Sequence, residues 1–214
     1  MQTFPSLSSS YQAENGSNKL TEEQTLVQRA QNGDIAAFRE LVERHKRQIY
    51  YLAFDLTGNH HDAEDLSQEV FIRVFRSIKK FRGDAQLSSW LYRITVNVCL
   101  SKRRKKSLSA MQLQEDFDQD NVQTAGVPVY SAPDKSAETG LMQKHIETAL
   151  QKLSPREKSV FVLRHYHDMP LKEIADILEI KIGTVKGMLF RAIQKLQKAL
   201  AFYKEDFGWE ASND

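Results

Sequence analysis

Apolar residues recur at spacings of three and four between residues 20 and 106, which is the period of amphipathic α-helices. Four helices are predicted there. The first begins at Thr21–Gln24, which has the form of a capping box, and the second follows Asp34, which can cap it. The third runs from about His61 to Ile78, and the fourth starts near Ser88. The inner stripe of the third helix is predicted to be Ala63, Leu66, Val70, Phe71, Val74, Phe75 and Ile78.

A second helical region lies towards the C-terminus, where the apolar helix Leu171–Leu178 is followed by a break at 179–181 and a longer helix. This layout is typical of a helix-turn-helix, whose second helix lies in the DNA major groove. Ala175 allows the two helices to pack closely. Their core is predicted to be Ile174, Leu178, Ile180, Val185 and Leu189. No stretch alternates at period two, so the fold class is expected to be all-α.

The face of the longer helix opposite its apolar stripe has an unusual composition for a solvated surface. It carries Gly183, Lys186, Gly187, Phe190, Arg191 and Gln194. Glycines permit close approach to a phosphate backbone, and cations and an aromatic ring suit contact with phosphates and base edges. The alternative is an ordinary helical hairpin with a solvated face. The composition favours DNA binding.

Charge is segregated along the chain, although its net value is only +2. Residues 102–106 are five consecutive cations, and residues 107–140 contain six acidic side chains and one lysine, a local net charge of −5. The local charge therefore indicates a nucleic-acid partner where the overall charge does not. The single cysteine, Cys99, excludes an intrachain disulfide. No apolar run is long enough to insert in a membrane, and no signal peptide is recognised, so a cytoplasmic protein is expected.

Composition also predicts how the chain is divided. Residues 1–19 are expected to form a flexible N-terminal tail, and 20–106 a first helical domain. A flexible acidic linker, 107–139, leads to a second small helical domain at 140–203 that contains the helix-turn-helix. Residues 204–214 are expected to be a frayed tail.

Three blocks in this order carry a family resemblance: DAEDLSQEVFIRVFRSI (62–78), FRGDAQLSSWLYRITVNVCLSKRR (81–104) and IGTVKGMLFRAIQKL (182–196). The chain resembles bacterial RNA polymerase sigma factors of the extracytoplasmic-function (ECF, group IV) type in the sigma-70 family. The resemblance implies that 20–106 is sigma region 2 and 140–203 is region 4. It further implies a transcription initiation factor that directs core RNA polymerase to promoters and promotes DNA melting. Such a protein is not an enzyme and needs no catalytic residue, metal or cofactor.

The resemblance places core-polymerase binding on the third helix, at Asp62, Asp65, Gln68 and Glu69. Carboxylates and an amide on an exposed face suit arginine and lysine on a partner. The alternative for Asp62 and Asp65 is that carboxylates in the first helical turn merely complement the helix dipole. Both roles are compatible.

The resemblance also implies capture of the minus-10 element as single-stranded DNA. Phe81 and Asn97 fall where the family contacts the captured base, the loop 82–88 is expected to form its pocket, and the cationic run follows the phosphates. For Trp90, burial and DNA contact remain equally open. The full candidate set is Phe81, Arg82, Trp90, Arg93, Asn97, Lys102, Arg103 and Arg104.

The minus-35 element, in turn, is implied to be read as duplex by the longer helix of the helix-turn-helix. The candidate residues are Gly183, Thr184, Lys186, Gly187, Phe190 and Arg191. Many relatives have serine and arginine where this chain has Gly187 and Met188. Because of that departure, the residues do not determine which minus-35 sequence is recognised.

Partners and rival functions follow from the same residues. The resemblance implies core polymerase, promoter DNA and an anti-sigma factor as partners, and a linker that enters the polymerase RNA channel. A LuxR-type regulator shares the LSPRE and TVK segments, but the absence of strand patterns in 20–106 argues against it. A metallohydrolase built on His60, His61, Asp62 and Asp65 is disfavoured because no matching ligand cluster accompanies them.

Overall fold

A computed structural model describes the chain over residues 22–114 and 137–203, with side chains over 22–105 and 142–203. Eight α-helices span these ranges: α1 (22–31), α2 (Ile35–Thr57), α3 (His60–Ser77), α4 (Leu87–Gln114), α5 (Ala137–Gln151), α6 (Pro155–His165), α7 (Leu171–Leu178) and α8 (Ile182–Ala199). A 3-10 turn, Ile78–Lys80, follows α3. Within the described ranges there is no strand, and the expected all-α class is confirmed. The tails predicted to be flexible, the predicted Thr21 cap and most of the predicted acidic linker lie outside these residues.

Local capping explains why the helices begin and end where they do. The Asp34 carboxylate accepts hydrogen bonds from the backbone N–H groups of Ala36 and Ala37, which starts α2 as the sequence predicted. Gly58, with φ of +73°, ends this helix in the left-handed region. Asn59 caps α3 by accepting from the Asp62 N–H at 2.9 Å.

Helices α1–α4 pack around a buried apolar core. Its fully covered members include Ile49, Leu52, Leu66, Val70 and Val96. The prediction for Phe75 was wrong, because this ring is 52% exposed and only meets the edge of Phe38, with ring centroids 5.0 Å apart. Phe75 lies at the flank of the inner stripe, where helical periodicity separates inside from outside least sharply.

Helix α4 extends beyond the predicted domain boundary. It begins at Leu87, next to the predicted start near Ser88, and it continues through the cationic run to Gln114. The predicted boundary at residue 106 therefore falls inside a helix. Lysine and arginine are good helix formers, so the cationic run does not end the helix even though its charges repel one another.

The helix-turn-helix has the predicted limits, since α7 ends at Leu178 and α8 begins at Ile182. Ile174, Ala175 and Val185 are buried between the two helices. The intervening turn is closed by the Ile180 N–H, which donates to the Ala175 carbonyl at 3.0 Å. Glu179 takes a left-handed conformation there, with φ of +55°.

The second helical unit packs against the first, which the sequence did not predict. Helix α4 contacts α6 and α7, and α2 contacts α6. Buried apolar residues of the two units form one continuous cluster. None of the helices in the described ranges is long and apolar enough to cross a membrane.

Candidate nucleic-acid and partner interfaces

The predicted polymerase-binding residues lie along one side of α3, but three of them, Asp62, Asp65 and Glu69, already have a partner within the chain. The Lys102 ammonium lies 2.9 Å from an Asp62 oxygen and 3.8 Å from an Asp65 oxygen. Lys102 was predicted to contact DNA, so the structure joins one member of that set to two members of the polymerase-binding set. These exposed pairs are weak, since surface ion pairs contribute about 0–1 kcal/mol.

Further along α3, Glu69 pairs with Arg73 one turn later, and Gln68 is exposed. The same face carries two exposed apolar side chains, Ile72 and Phe75. At 100° per residue, these side chains fall in one stripe with Asp65 and Gln68. Sequence analysis missed this apolar part because both residues have helical spacing from core positions as well.

The predicted strand-capture loop lies between the 3-10 turn and α4. Phe81 is half-buried and packs on Trp90, with ring centroids 5.1 Å apart. Trp90 is also half-buried, so packing is one of its roles, and its contact with DNA stays a prediction. Arg82 and Asp84 at the tip of the loop are highly exposed, and Gly83 turns it with φ of +79°.

Gln31 of α1 fixes the start of this loop, a contribution that sequence analysis missed. Its side-chain amide donates to the Ile78 carbonyl at 3.0 Å and to the Phe81 carbonyl at 2.7 Å. A cleft of about 480 Å³ lies between α1 and the loop, lined in part by Gln28, Gln31 and Phe81. Such a volume falls within the range of small-molecule sites.

A second cleft of about 340 Å³ lies on the other side of the loop, between the two helical units. Phe81 and Trp90 line it from the first unit, and Glu173 and Asp176 line it from α7. Arg93 is engaged here: its guanidinium donates to the Asp176 carbonyl at 3.0 Å and lies 3.3 Å from a Glu179 oxygen. The second unit thus occupies part of the predicted minus-10 surface.

A polar cluster at the same interface connects three helical segments. His167 lies with one ring nitrogen 3.1 Å from an Asp55 carboxylate oxygen and the other 3.1 Å from the Tyr92 hydroxyl. Gln48 donates to the same hydroxyl at 2.8 Å. The carboxylate partner of His167, Asp55, is 112 residues away in the chain, and the sequence did not predict this contact.

Two buried reactive groups lie close to this interface. Burial raises the pKa of the Cys99 thiol to about 12, so the thiol stays protonated at neutral pH. Burial likewise lowers the pKa of the Lys158 ammonium to about 8. Both side chains are nearly inaccessible to solvent.

Three other predicted minus-10 residues of α4 are exposed, although Lys102 is not among them. Asn97 is exposed one turn after Arg93, and Arg103 and Arg104 are exposed further along. These three side chains are available to phosphates or bases without any rearrangement of the two units.

Helix α8 presents its predicted DNA-facing residues outward. Gly183, Thr184 and Lys186 are exposed, and Phe190 is 61% exposed. Residues on the opposite side, including Val185 and Ala192, are buried. Because α8 lacks a side-chain cap at its start, N–H groups of its first turn are available to an anion.

One buried carboxylate approaches this face from α6. Glu157 is only 5% exposed and closes the capping box with Ser154. Its oxygens lie 2.7 Å from the Lys195 ammonium and 3.5 Å from Nε of Arg191. The hydrogen bond from Lys195 is the main reason why the pKa of Glu157 falls to about 2.

Comparison with known proteins matches both helical units to one family. Residues 41–109 match the family description of sigma-70 region 2, and residues 144–196 match that of sigma-70 region 4. The ECF RNA polymerase sigma factor SigW of Bacillus subtilis is 32% identical over 183 residues, covering 81% of this chain and 94% of SigW. The chain belongs to the ECF sigma factor family. SigE of Mycolicibacterium smegmatis, another ECF sigma factor, is 35% identical over 179 residues, covering 81% of this chain and 66% of SigE.

Solved structures share the fold of this ECF sigma factor. The sigma factor RpoE of Bartonella quintana, solved with the anti-sigma factor NepR, aligns with a TM-score of 0.59 at 23% identity. That alignment covers 78% of this chain and 98% of RpoE. CnrH, solved with the cytosolic domain of CnrY, aligns with a TM-score of 0.58 at 22% identity and covers 84% and 97% of the two chains. The match to region 2 argues against the LuxR-type alternative.

Proposed function

We propose that this ECF sigma factor binds core RNA polymerase through α3, captures the minus-10 strand with the loop before α4, and reads duplex minus-35 DNA with α8. It directs core polymerase to promoters and is not an enzyme. The division of labour among the helices is the part proposed here. The proposal keeps the two domains predicted from the sequence. The boundary at residue 106 is moved, because α4 continues to Gln114.

The polymerase-binding surface on α3 combines charge with apolar contact. Asp65, Gln68 and Glu69 provide acceptors for basic side chains, and Ile72 and Phe75 continue the same stripe. Burying exposed apolar area on binding contributes about 25 cal/mol per Å² before the costs of association. The apolar part thus supplies affinity, and the acceptors supply orientation.

Strand capture rests on the two clefts that flank the 81–86 loop. An unpaired base can stack on an aromatic ring, which contributes about 1–3 kcal/mol per base. Each step of duplex DNA is stabilised by about 1.4 kcal/mol through stacking. A few captured bases, with Asn97, Arg103 and Arg104 nearby for further contacts, therefore offset the cost of melting a short segment without ATP.

Promoter engagement also requires a change at the interface between the two units. Arg93 has part of its guanidinium engaged by Asp176 of α7 and by Glu179 in the turn that follows, so this part is not available to the minus-10 strand in the closed arrangement. We infer that the units separate when polymerase and DNA bind. An anti-sigma factor in the cytoplasm, where this protein acts, would be able to stabilise the closed arrangement, and the acidic linker would follow the RNA channel in the open one.

The observation that carries this proposal is the pair of clefts at the loop that bears the Phe81–Trp90 contact. A regulator that binds only duplex DNA through a helix-turn-helix has no need for a base-sized recess in a separate helical unit. Capture of an extruded base does need one, as base-flipping proteins do.

A run-off transcription assay tests the proposal. Core polymerase with this protein should initiate at a defined start site on fragments from a genomic library, and core polymerase alone should not. Within that assay, Phe75→Asp should abolish binding to core polymerase, whereas Phe190→Ala should leave it intact. Binding to core polymerase without initiation anywhere in the library would contradict the promoter-directing role.

A further inference from the structure

The contact between α6 and α8 points to a role for Glu157 in sequence discrimination. We propose that Glu157 is a positioning residue, which holds the Arg191 guanidinium in one orientation for reading a base of the minus-35 duplex. This inference rests on the proposed function of α8. It assigns to a buried side chain, outside the DNA-facing surface, a part in promoter specificity.

The carboxylate of Glu157 is fixed from several directions. One of its oxygens accepts from the Ser154 backbone N–H at 3.0 Å and from Lys195 at 2.7 Å. The Ser154 hydroxyl in turn accepts from the Glu157 N–H, so both the backbone and the side chain of Glu157 are restrained. A carboxylate held in this way is a rigid reference point for a flexible arginine.

The geometry of Arg191 determines what remains available to DNA. Its Nε faces the second Glu157 oxygen at 3.5 Å. An arginine has further N–H donors on its two terminal nitrogens, and this contact does not use them. Nη1 lies 3.6 Å from the point where a Cβ would stand at Gly187, one turn earlier on the exposed face. The guanidinium therefore lies along the helix surface over Gly187, and we expect its terminal nitrogens to make the bidentate contact with a base.

The charges at this contact fit a positioning role better than a neutralising one. Glu157 supplies one negative charge against the two cations Arg191 and Lys195, so this part of α8 keeps a net positive charge. Arg191 remains more than half exposed, with 57% of its side chain accessible, whereas 7% of the Glu157 side chain is accessible. The arginine can thus meet a base while its inner edge stays anchored.

A minus-35 substitution assay with the complete holoenzyme tests this inference. Every base of the element is varied in turn, and initiation is compared for the wild type, Glu157→Gln, Ser154→Ala, Glu147→Gln and Arg191→Ala. Arg191→Ala should remove the preference at one base. Glu157→Gln should reduce the preference at that same base at least tenfold, while binding to DNA without a promoter is kept or strengthened because a negative charge is lost.

Two matched controls separate positioning from stability and from charge. Ser154→Ala removes the hydroxyl that accepts from the Glu157 N–H but keeps the backbone N–H of residue 154 that donates to the Glu157 carboxylate. Glu147→Gln makes the same charge change on α5, where Glu147 accepts from Gln143. Both variants should keep the wild-type base preference. Thermal unfolding of each variant verifies that it is folded at the assay temperature.

The outcomes distinguish failure of this inference from failure of the proposed function. If Arg191→Ala leaves every base preference unchanged, α8 does not read DNA through Arg191 and the proposed function fails at that point. If Arg191→Ala alters the preference but Glu157→Gln does not, or if Ser154→Ala alters it equally, the positioning role is overturned. In the Arg191→Ala background, Glu157→Gln should have no further effect on that base.

Discussion

Phe81 and Phe190 were both predicted from the sequence to contact DNA, yet their surroundings are opposite. Phe190 stands on α8 with 61% of its surface exposed, whereas Phe81 is half-buried against Trp90 beside a cleft shared with α7. The surface proposed to read duplex DNA is therefore open. The surface proposed to capture a single strand is partly occupied by the protein itself, so under the proposed function only that surface has to be uncovered.

The largest effect is expected from removing the Phe81 ring. Phe81→Ala should lower strand opening by roughly 5- to 150-fold, since about 1–3 kcal/mol of base stacking is lost. Phe81→Leu keeps most of the apolar packing against Trp90 and should retain stability but not strand opening. Permanganate footprinting of the melted region measures opening, and gel-shift assays measure duplex binding.

The same assays on Phe190→Ala complete the comparison. This variant should change the free energy of unfolding by no more than about 0.5 kcal/mol, as expected for an exposed site. It should weaken duplex binding at the minus-35 element and leave opening unchanged once holoenzyme is bound. Equal effects of Phe81→Leu and Phe190→Ala on both steps would contradict the division between the two surfaces.

A smaller but measurable effect is expected at the interface that covers Arg93. His167→Ala removes contacts to Asp55 and Tyr92, and each buried hydrogen-bonding group left unpaired costs about 1–3 kcal/mol. The two units should separate more often. Because Cys99 is the single cysteine of the chain and is buried near Lys158, its rate of reaction with a thiol reagent reports this opening. An unchanged rate in His167→Ala would indicate that other contacts hold the interface.

Acid should lower the stability that the Glu157 carboxylate provides at the contact between α6 and α8. Glu157 has a pKa of about 2 in the folded protein against an ordinary 4.5, so the unfolded chain takes up a proton first as pH falls. The stabilisation from this carboxylate is complete above pH 4.5 and is lost as pH falls from there through about 2. The difference in unfolding free energy between wild type and Glu157→Gln should therefore shrink over this range, as measured by chemical denaturation at a series of pH values.

The smallest effect is expected from an exposed cation on the duplex-reading face. Lys186→Ala should weaken binding to all DNA sequences about equally and reduce the slope of log K against log salt by about 1. Fluorescence anisotropy at several salt concentrations measures both quantities. A change in base preference would instead assign Lys186 to direct readout.

The sequence predicted those features that depend on neighbouring residues. Asp34 starts α2 through local hydrogen bonds, and the limits of α7 and α8 follow from one apolar pattern and a short turn. The position of Phe75 was wrong because a helical pattern does not say how wide the buried stripe is. The helical period tells on which side of the helix a residue lies. It does not tell how far the neighbouring helices extend over that side.

Contacts between distant segments could not be predicted. His167 meets Asp55, and Glu157 meets Lys195, across separations of 112 and 38 residues. Nothing near these residues in the chain indicates which partner each will find, because the partner depends on how whole helices pack. Gln31 belongs to the same class, since its amide contacts only backbone carbonyls and any residue type presents those.

The unbroken length of α4 fixes the distance between two groups of residues that are predicted to contact DNA. This helix runs unbroken for 28 residues, about 42 Å at 1.5 Å per residue. Trp90, beside the capture loop, and Arg104, at the exposed cationic end, are thus held about 21 Å apart on one rigid rod. That spacing corresponds to roughly six base pairs of duplex rise. In the proposed promoter complex, the helix acts as a ruler that fixes how far from the captured base the duplex backbone is held.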